Sequence, residues 1–412
     1  MDMKNSSDHA ANDNRSANMR SGAFDVMYVE GPGDIVESFL RWHSQQDVVT
    51  ETAITFSGQF FDYCEQNSLR AYAVSYSNDT RKESTEQFRV ENRPKRIFGA
   101  GALYHFSQIV YGLSILATAI RVRPKALHVT SGVTYWFVLA PLKLLNIRIV
   151  PHFHNALWPK GNRPRDPIKR VLLALDGWFI KNIAFASVCV SPEVERQIKQ
   201  LAKTDKISVN QFCAQFHRQD FENRQVLLRH DQKPFVVVFA GRVERNKGVF
   251  DILDMADRLR DKNVVFEICG GGSALEELRN ECTQRNLELF VHIRGQLERP
   301  ELLKAYQRSH VVIIPTRSDL IEGFAMVAAE AILLGRPIIT SDVVPALEVL
   351  GGAALAAKAD DIADYVAAIH KLLHDKVLYE QLCENCIPLR EQFLNGKNGL
   401  TMTLNNLNGR MP

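Results

Sequence analysis

Residues 311–340, which read VVIIPTRSDLIEGFAMVAAEAILLGRPIIT, constrain the fold of this chain more than any other stretch. An apolar run ends at Pro315, a polar loop follows, and an apolar-rich segment beginning with Glu322 predicts a helix. Gly335 and Pro337 are residue types that end a helix and prevent its return, and a second apolar run follows them. A strand, a loop, a helix and a second strand in this order form the repeating unit of a parallel α/β sheet.

Two carboxylates of this stretch, Glu322 and Glu330, are eight residues apart. Eight residues is a little over two helical turns, so we expect both near one face of the predicted helix, with Glu322 at its entrance and Glu330 about 12 Å further along the axis. The start of a helix also presents free N–H groups and a positive dipole end, which bind anions. The stretch therefore predicts a site for a diphosphate beside hydroxyl-rich groups. The alternative is a solvated pair of glutamates on an ordinary amphipathic helix.

A second loop with phosphate-binding character follows the apolar run at residues 235–240. That run is continuous, as expected for a strand covered on both faces. The loop begins with Gly241 and Arg242 and ends with Lys247 and Gly248. A guanidinium offers a planar pair of donors to phosphate oxygens, and a lysine offers a flexible point charge. The alternative is a turn that is purely structural.

The motif EGFAMVAAE at residues 322–330, together with GRVERNKG at residues 241–248, resembles the retaining glycosyltransferases of family 4. The resemblance covers residues 235–370 well and residues 24–210 in outline. It implies an α/β protein of the GT-B fold, with two Rossmann-like doubly wound parallel-sheet domains that face a cleft. It also implies transfer of a hexosyl group from a nucleotide-diphosphate sugar with retention of configuration, without metal or cofactor.

The same resemblance implies roles for residues of the second half. Arg242 and Lys247 would neutralise the departing diphosphate, Glu322 would hold the donor sugar, and Glu330 would accept hydrogen bonds from the ribose hydroxyls. Further donor-binding residues on this reading are Gly241, Gly271, Gly272, Arg294, Gly323, Phe324 and Ala325.

In the first half, the resemblance implies a histidine that closes the sugar pocket. His154 matches best and His152 is the fallback, whereas Asn155 and Trp158 are candidates for contact with the acceptor. A glycine loop after the first predicted strand adds Gly31 and Gly33 as acceptor-side candidates. The alternative for this loop is an ordinary tight turn.

Length and composition favour a two-domain globular protein. A chain of 412 residues exceeds one ordinary core, and 46% apolar with 24% charged residues is typical of globular domains. A net charge of +3 gives no reason to expect a nucleic-acid partner. We expect a disordered tail, a first domain, a linker, a second domain, and a final segment that crosses back to the first domain: residues 1–22, 23–218, 219–233, 234–388 and 389–412.

Several further expectations concern single segments. Residues 53–56 are predicted as a strand and residues 78–96 as an exposed loop. No apolar run has the ~18–20 residues that cross a bilayer, and residues 1–20 lack the apolar part of a signal peptide. Seven scattered cysteines are expected to be reduced, and Cys383 and Cys386 have no second pair nearby that would complete a metal site.

Basic residues concentrate in three parts of the first half, residues 89–96, 121–125 and 160–170. These are either solvated surfaces or contacts with an anionic membrane or a lipid diphosphate. The expected partners are a nucleotide sugar and a glycan or polyprenyl-diphosphate-linked glycan, in the cytoplasm or at the inner face of the membrane. A nucleotide-sugar epimerase, a phosphorylase of the same fold and a non-catalytic nucleotide-sugar-binding protein are the alternatives.

Overall fold

The computed structural model describes residues 24–46, 52–222 and 230–409, which form two domains built on parallel sheets. The predicted tail, residues 1–22, lies outside the described residues, as do residues 223–229 of the predicted linker.

The sheet of the first domain has eight strands: β1 Val26–Pro32, β2 Ala71–Tyr76, β3 Lys82–Ser84, β4 Phe88–Arg93, β5 Ala126–Val129, β6 Arg148–Phe153, β7 Ser187–Cys189 and β8 Val209–Gln211. Their order is β3-β4-β2-β1-β5-β6-β7-β8, and every pair is parallel except β3 with β4. The helices of this domain are α1 Ile35–His43, α2 Phe56–Gln66, α3 Ala102–Val122, α4 Pro167–Asn182 and α5 Pro192–Ala202, with a 3-10 helix at Trp136–Leu145.

These helices cover both faces of the first sheet. Helices α1 and α2 pack on one face, where Phe39 and Phe60 are buried against Val26. Helices α3, α4 and α5 and the 3-10 helix pack on the other, where Ile115 and Phe179 are buried. The connections from β4 through β7 run in one direction across the sheet, so right-handed crossovers place their helices on the same side.

The second domain has a six-stranded parallel sheet: β9 Phe235–Ala240, β10 Val264–Cys269, β11 Val291–Gly295, β12 Val311–Ile314, β13 Ile338–Ser341 and β14 Ala354–Ala357. Their order is β11-β10-β9-β12-β13-β14. Val237 and Phe239 of β9 face one core and Val238 and Ala240 face the other. Both faces are therefore covered, as the continuous apolar run predicts, and the expected α/β fold with two doubly wound sheets is confirmed.

The remaining helices are α6 Arg218–Phe221, α7 Val249–Arg258, α8 Leu275–Gln284, α9 Arg299–Gln307, α10 Met326–Leu333, α11 Ala346–Leu350, α12 Ile362–His374, α13 Lys376–Leu394 and α14 Leu400–Asn408, with short 3-10 turns at Arg245–Lys247, Gly351–Ala353 and Gly396–Asn398. Helix α14 lies on the first domain, where Leu400 and Leu404 enter the core beside α2. The Leu400 N–H donates to Gln59 Oε1 at 2.8 Å.

Two predicted segments differ in the structure. Residues 53–56 are not a strand: Ala53 forms one isolated bridge with Phe216, and α2 begins at Phe56. Residues 78–96 are not an exposed loop, because they contain β3 and β4. Alternation places Val90 in the core, and the Arg93 guanidinium bonds to the carboxylate of Glu91, which is 3% exposed. The high charge of this segment therefore led to a loop prediction for β4, a strand whose charged side chains pair with one another.

The boundary between the domains also differs from the expected one at residue 218. Phe216 and Phe221 pack in the core of the second domain, with their ring centroids 5.6 Å apart. The chain therefore leaves the first domain soon after β8. Helix α13 continues past residue 388 to Leu394, so the return to the first domain begins beyond it.

Helix α3 is long and apolar enough to be a candidate membrane span, which the sequence pattern did not predict. It is 21 residues long and contains an 18-residue window with a mean hydropathy of 1.3, which by length and composition is enough to cross a membrane. The expectation that no segment meets this standard is therefore wrong. Within the fold α3 is a layer of the first domain, since Ile115 and Ala119 are completely buried in its core.

His310 links the second domain's stability to pH. Its Nδ1 accepts the Val236 N–H at 3.0 Å, and its ring stacks on Phe235 at 4.5 Å. Burial lowers the pKa of His310 to about 4, with the nearby Arg336 charge acting in the same direction. The unfolded chain therefore binds a proton between about pH 6.5 and pH 4 that the folded chain does not bind, so this stabilisation is lost as the pH falls through that window.

We expect His310→Asn, which keeps an acceptor near the Nδ1 position, to lose less stability than the unmodified chain when the pH falls from 7 to 5. The expected difference is roughly 1–2 kcal/mol in the free energy of unfolding. Urea denaturation at both pH values measures it. An equal loss in the two proteins would show that His310 titrates normally in the folded state.

Candidate active site

The carboxyl ends of strands from both sheets meet at a cleft, and the EGF loop, which we define as residues 322–324, lies at the contact. Ser191, the N-cap of α5 in the first domain, donates from its hydroxyl to the Gly323 carbonyl oxygen at 2.7 Å. A Cβ on Gly323 would lie only 2.1 Å from the His154 carbonyl oxygen, so no larger residue fits this approach without a shift. The first domain therefore holds the EGF loop through its backbone.

Lys247 and Glu322 form an ion pair at the centre of this region. The Lys247 Nζ and Glu322 Oε2 atoms are 2.6 Å apart, and the two side chains are 18% and 14% exposed. Gly248 makes the approach possible: it has a φ of 75°, and a Cβ there would lie 2.0 Å from the Pro315 carbonyl oxygen. The loop after β9 therefore packs against the end of β12 and aims Lys247 at the EGF loop.

Glu322 is not on the helix, which corrects the expectation that both glutamates share a helix face. Helix α10 begins at Met326, and its N-cap Ala325 has the left-handed φ of 75° that side chains other than glycine rarely adopt. The loop thus turns sharply before the helix starts. Phe324 anchors it by packing on Phe393 with a centroid distance of 5.9 Å. Such strain persists where surrounding contacts over-determine the backbone, and it concentrates at functional sites.

Glu330 is on α10, and its carboxylate is bonded on both oxygens. Tyr306 and Thr52 donate from their hydroxyls, Tyr306 to Oε2 and Thr52 to Oε1. Burial raises the pKa of Glu330, and the two hydrogen bonds act against that rise. Arg336, itself 1% exposed, donates from Nε to the Tyr306 carbonyl oxygen at 3.1 Å and so fixes the tyrosine. The glutamates are therefore not a solvated surface pair.

A groove of about 300 Å³ runs along the ends of β9 and β10 to α10. It brings together four predicted residues, Gly241, Arg242, Gly271 and Glu330. Arg242 pairs with Glu244 at 2.9 Å and its side chain is 65% exposed, so it is a cation at the mouth of the groove. Residues that the sequence analysis did not single out as candidates complete the walls: Gln296, Leu297, Leu302, Met326 and Val327.

Two predicted donor residues lie elsewhere. Arg294 extends toward Glu267, with 3.4 Å between Nη2 and Oε1, and lies on a different surface beside His292. Gly272 supports the loop instead of lining the groove, because a Cβ there would lie 2.4 Å from the Val243 carbonyl oxygen. Alternation along β11 explains the position of Arg294, because its side chain lies on the same face of the strand as His292.

A larger cavity of about 850 Å³ lies between the domains. It is lined by six predicted residues, His154, Asn155, Glu322, Gly323, Phe324 and Ala325, and by others that sequence reasoning missed, among them Phe56 and Phe212. Met326 lines both this cavity and the groove, so the two spaces adjoin.

The His154 ring packs against Phe56 at 4.2 Å and Phe212 at 5.7 Å. Burial lowers its pKa to about 4, so the imidazole is neutral near pH 7. Its Nε2 has no hydrogen-bond partner among the described residues. A neutral ring nitrogen can make one hydrogen bond, and because this one is buried, a ligand hydroxyl would reach it only after a small turn of the ring.

The other first-domain candidates do not line the cavity. His152, the fallback, is 1% exposed and bonds to His128, with 3.0 Å between their ring nitrogens. Trp158 is 4% exposed in the first-domain core, so its side chain has no free surface for an acceptor. Gly31 lies against Ser131, and Gly33 follows β1 without contacting the cavity wall.

Thr52, Ser191 and Tyr306 are the polar residues of the site whose roles sequence reasoning missed. Of these three, only Ser191 can be recognised in the sequence, as the N-cap residue of a helix that begins at Pro192. That local pattern does not predict its hydrogen bond to Gly323 across the cleft. Thr52 and Tyr306 lie in segments without a recognisable motif, and only the folded chain brings them to Glu330.

Comparison with known proteins agrees with this geometry. Residues 220–388 match the family described as glycosyl transferases group 1. An alpha-D-kanosaminyltransferase of Streptomyces kanamyceticus is 23% identical over 274 residues, covering 63% of this chain and 70% of that protein. A lipopolysaccharide 1,2-N-acetylglucosaminetransferase of Salmonella typhimurium is 24% identical over 208 residues, covering 48% and 49%.

Among solved structures, Anabaena HepE in complex with UDP superposes with a TM-score of 0.66. The match covers 94% of this chain and 98% of HepE at 14% identity, which shows a shared fold. Residues 220–388 are therefore similar to the glycosyl transferases of group 1, and the chain as a whole has the GT-B fold.

Proposed function

We propose that this protein transfers a hexosyl group from a nucleotide-diphosphate sugar to a hydroxyl of a glycan or a polyprenyl-diphosphate-linked glycan. The observation that carries the proposal is the ion pair between Lys247 and Glu322, since Glu322 lines the cavity that adjoins the groove at Met326. The groove suits a nucleotide, the cavity suits sugars, and the Lys247 cation paired with Glu322 of the cavity wall suits a diphosphate.

In the proposed reaction the bond between the anomeric carbon and the diphosphate oxygen breaks. The acceptor oxygen forms the new bond to that carbon, with retention, and its proton passes to the departing diphosphate. Lys247 and Arg242 offset the negative charge that develops on the leaving group, which is often the largest electrostatic contribution to such a reaction. Because these cations belong to the protein, we propose that transfer proceeds without metal.

The donor sugar would lie between Glu322 and His154. The carboxylate of Glu322 accepts hydrogen bonds from sugar hydroxyls, and the neutral His154 Nε2 offers one further bond. Asn155 is exposed in the cavity and is the remaining acceptor-side candidate with a free side chain.

The names of the relatives support the acceptor class. The Salmonella typhimurium relative is named for a reaction on lipopolysaccharide, a glycan attached to a lipid. We therefore propose a role in surface polysaccharide synthesis, in the cytoplasm at the inner face of the membrane.

Release of nucleoside diphosphate tests the reaction. With a panel of nucleotide sugars and a lipid-linked glycan extract, a transferase releases nucleoside diphosphate only when the acceptor is present. Proton NMR of the product then reports whether the anomeric configuration is retained. Interconversion of the donor sugar without acceptor would identify an epimerase instead, and no turnover with tight binding would identify a non-catalytic protein.

We expect Glu330→Gln to weaken donor binding about tenfold or more, because a hydrogen bond to a charged group contributes roughly 1.5–3 kcal/mol. Isothermal titration with the donor measures this. Glu301→Gln is the matched control, since Glu301 is exposed and pairs only with Lys304 among the described residues. Equal donor affinity in the two variants would remove Glu330 from the donor site.

A further inference from the structure

Helix α3 is apolar on the side that faces solvent as well as on the side that faces the domain core. Its protein-facing side also carries two polar residues, Gln108 and Thr118, which are 2% and 4% exposed. Thr134 donates to Gln108 and Arg93 donates to Thr118, both at 2.7 Å. Its outer side carries a row of apolar side chains at helical spacing, each between 41% and 61% exposed: Leu103, Phe106, Val110, Leu113 and Ile120.

Helix α4 carries a second apolar row, also between 41% and 61% exposed: Ile168, Val171, Leu175 and Trp178. The two helices belong to one layer, because Ile109 of α3 and Leu172 of α4 pack together with Val138 of the 3-10 helix between them. We name these nine side chains the apolar face. A contiguous exposed apolar surface of this kind marks an interaction site.

The apolar face lies in the most basic part of the chain. Residues 95–182 contain thirteen Lys or Arg and two Asp, a net charge of +11 in a protein whose total is +3. One of the two, Asp176, is buried, and burial raises its pKa well above the usual value. The rest of the chain therefore carries a net charge of −8, so the positive charge is concentrated around these helices.

A groove of about 650 Å³ between α4 and α5 adjoins this face at Trp178. Its floor is apolar and includes Leu173 and Leu201. Five cations surround it, and in the part of the chain that the structure describes none of them forms an ion pair: Arg163, Arg165, Arg170, Lys181 and Lys203. Unpaired cations over an apolar floor match a ligand with an anionic head and an apolar tail.

We propose that the apolar face docks on a membrane containing anionic phospholipids and that the groove between α4 and α5 binds a lipid phosphate. The nine side chains would enter the boundary between headgroups and acyl chains, and the surrounding cations would pair with phosphates. Helix α3 lies in the membrane plane, since spanning it would expose Gln108 and Thr118 to lipid and break their bonds to the domain.

A second copy of the chain is a poorer occupant of this face. A two-fold contact would bring one +11 region against another, and like charges facing each other across an interface oppose association. A bilayer with anionic headgroups has the complementary charge together with an apolar interior.

The docking surface leads to the cleft. Lys160, at the start of the basic loop before α4, donates from Nζ to the Asp342 carbonyl oxygen of the second domain at 2.7 Å. A membrane contacting α4 would therefore lie beside the opening between the domains. Entry of a lipid-linked acceptor from this side rests on the proposed function. Docking of the apolar face on a membrane does not depend on that function.

Cosedimentation of the full chain with vesicles tests the proposal, using phosphatidylcholine alone or mixed with phosphatidylglycerol. We expect at least about tenfold tighter binding to the anionic vesicles, weakened by salt. Phe106→Ser with Leu113→Ser, and separately Arg165→Glu with Arg170→Glu, should each weaken binding about tenfold or more. Thermal unfolding identifies any variant that fails to fold.

Matched controls come from the second domain. Leu289→Ser with Val377→Ser removes two side chains that are 82% and 76% exposed, and Arg258→Glu with Lys371→Glu reverses two exposed charges. Both should bind vesicles as the unmodified chain does. No donor is present, so loss of docking and loss of the transferase assignment are separate results.

Three outcomes would overturn the proposal. One is equal binding to both vesicle types, or no binding to either type. Another is equal weakening by the control variants. The third is a dimer in sedimentation equilibrium that Phe106→Ser with Leu113→Ser dissociates, without vesicle binding, which would make the apolar face a subunit interface.

Discussion

Lys247→Ala and Glu322→Ala are each expected to lower the rate of glycosyl transfer at least ~100-fold, the scale for losing one preorganised electrostatic group in such a site. Lys247 is the partly buried cation of the site, and its partner Glu322 lies 2.6 Å away on the wall of the sugar-sized cavity. Nucleoside diphosphate release at saturating donor and acceptor measures the effect. Lys304→Ala, which removes an exposed lysine paired with Glu301, should transfer normally.

The double variant Lys247→Ala with Glu322→Ala separates catalysis from support of the loop. Each single variant leaves a partly buried charge without its partner, which is itself destabilising. If the pair were only structural, removing both charges would restore much of the lost activity. We expect no recovery, because both groups are assigned to substrate. Near-normal transfer by either single variant would remove that residue from the reaction.

Gly323→Ala is expected to lower transfer by about 100-fold with little change in the stability of either domain. The added Cβ would lie 2.1 Å from the His154 carbonyl oxygen and 3.0 Å from the Asn155 Cα, both backbone atoms of the first domain. Because backbone yields little, the cleft must open or the EGF loop must move. A displacement of about 1 Å at a reacting centre can lower the reaction rate about 100-fold.

Gly352→Ala is the matched control for Gly323→Ala, since a Cβ there would meet no atom within 4 Å. Thermal unfolding of both variants should stay close to that of the unmodified chain, so that only transfer distinguishes them. Full activity of Gly323→Ala would show that the approach of the two domains at this loop does not govern the reaction.

The local pattern of the second domain predicts its structure well. Residues 235–240 are apolar throughout because both faces of β9 are covered, and Gly248 at the end of the following loop marks a backbone that approaches Pro315 closely. The first domain is harder to predict, since the paired charges of β4 resemble those of a solvated loop.

The arrangement of the site depends on contacts that no local pattern contains. Helical spacing placed Glu322 on a helix, but the left-handed backbone at Ala325 makes it a loop residue. Thr52 reaches Glu330 across 278 positions of the chain, and Ser191 reaches Gly323 across 132. His152 lies on β6, which leads to the site, yet it is buried because side chains alternate between the two faces of a strand. Trp158 comes after that strand and is buried in the first-domain core.

The most direct test of the central claim is thermal unfolding of the full chain with a panel of nucleotide sugars and free nucleoside diphosphates, in the presence of a chelator. A ligand that binds only the folded state at a hundred times its dissociation constant stabilises it by about 2.7 kcal/mol. We predict stabilisation by the sugars of one base, unaffected by the chelator and lost in Lys247→Ala. Absence of any shift across the whole panel would contradict the assignment of a nucleotide-sugar site.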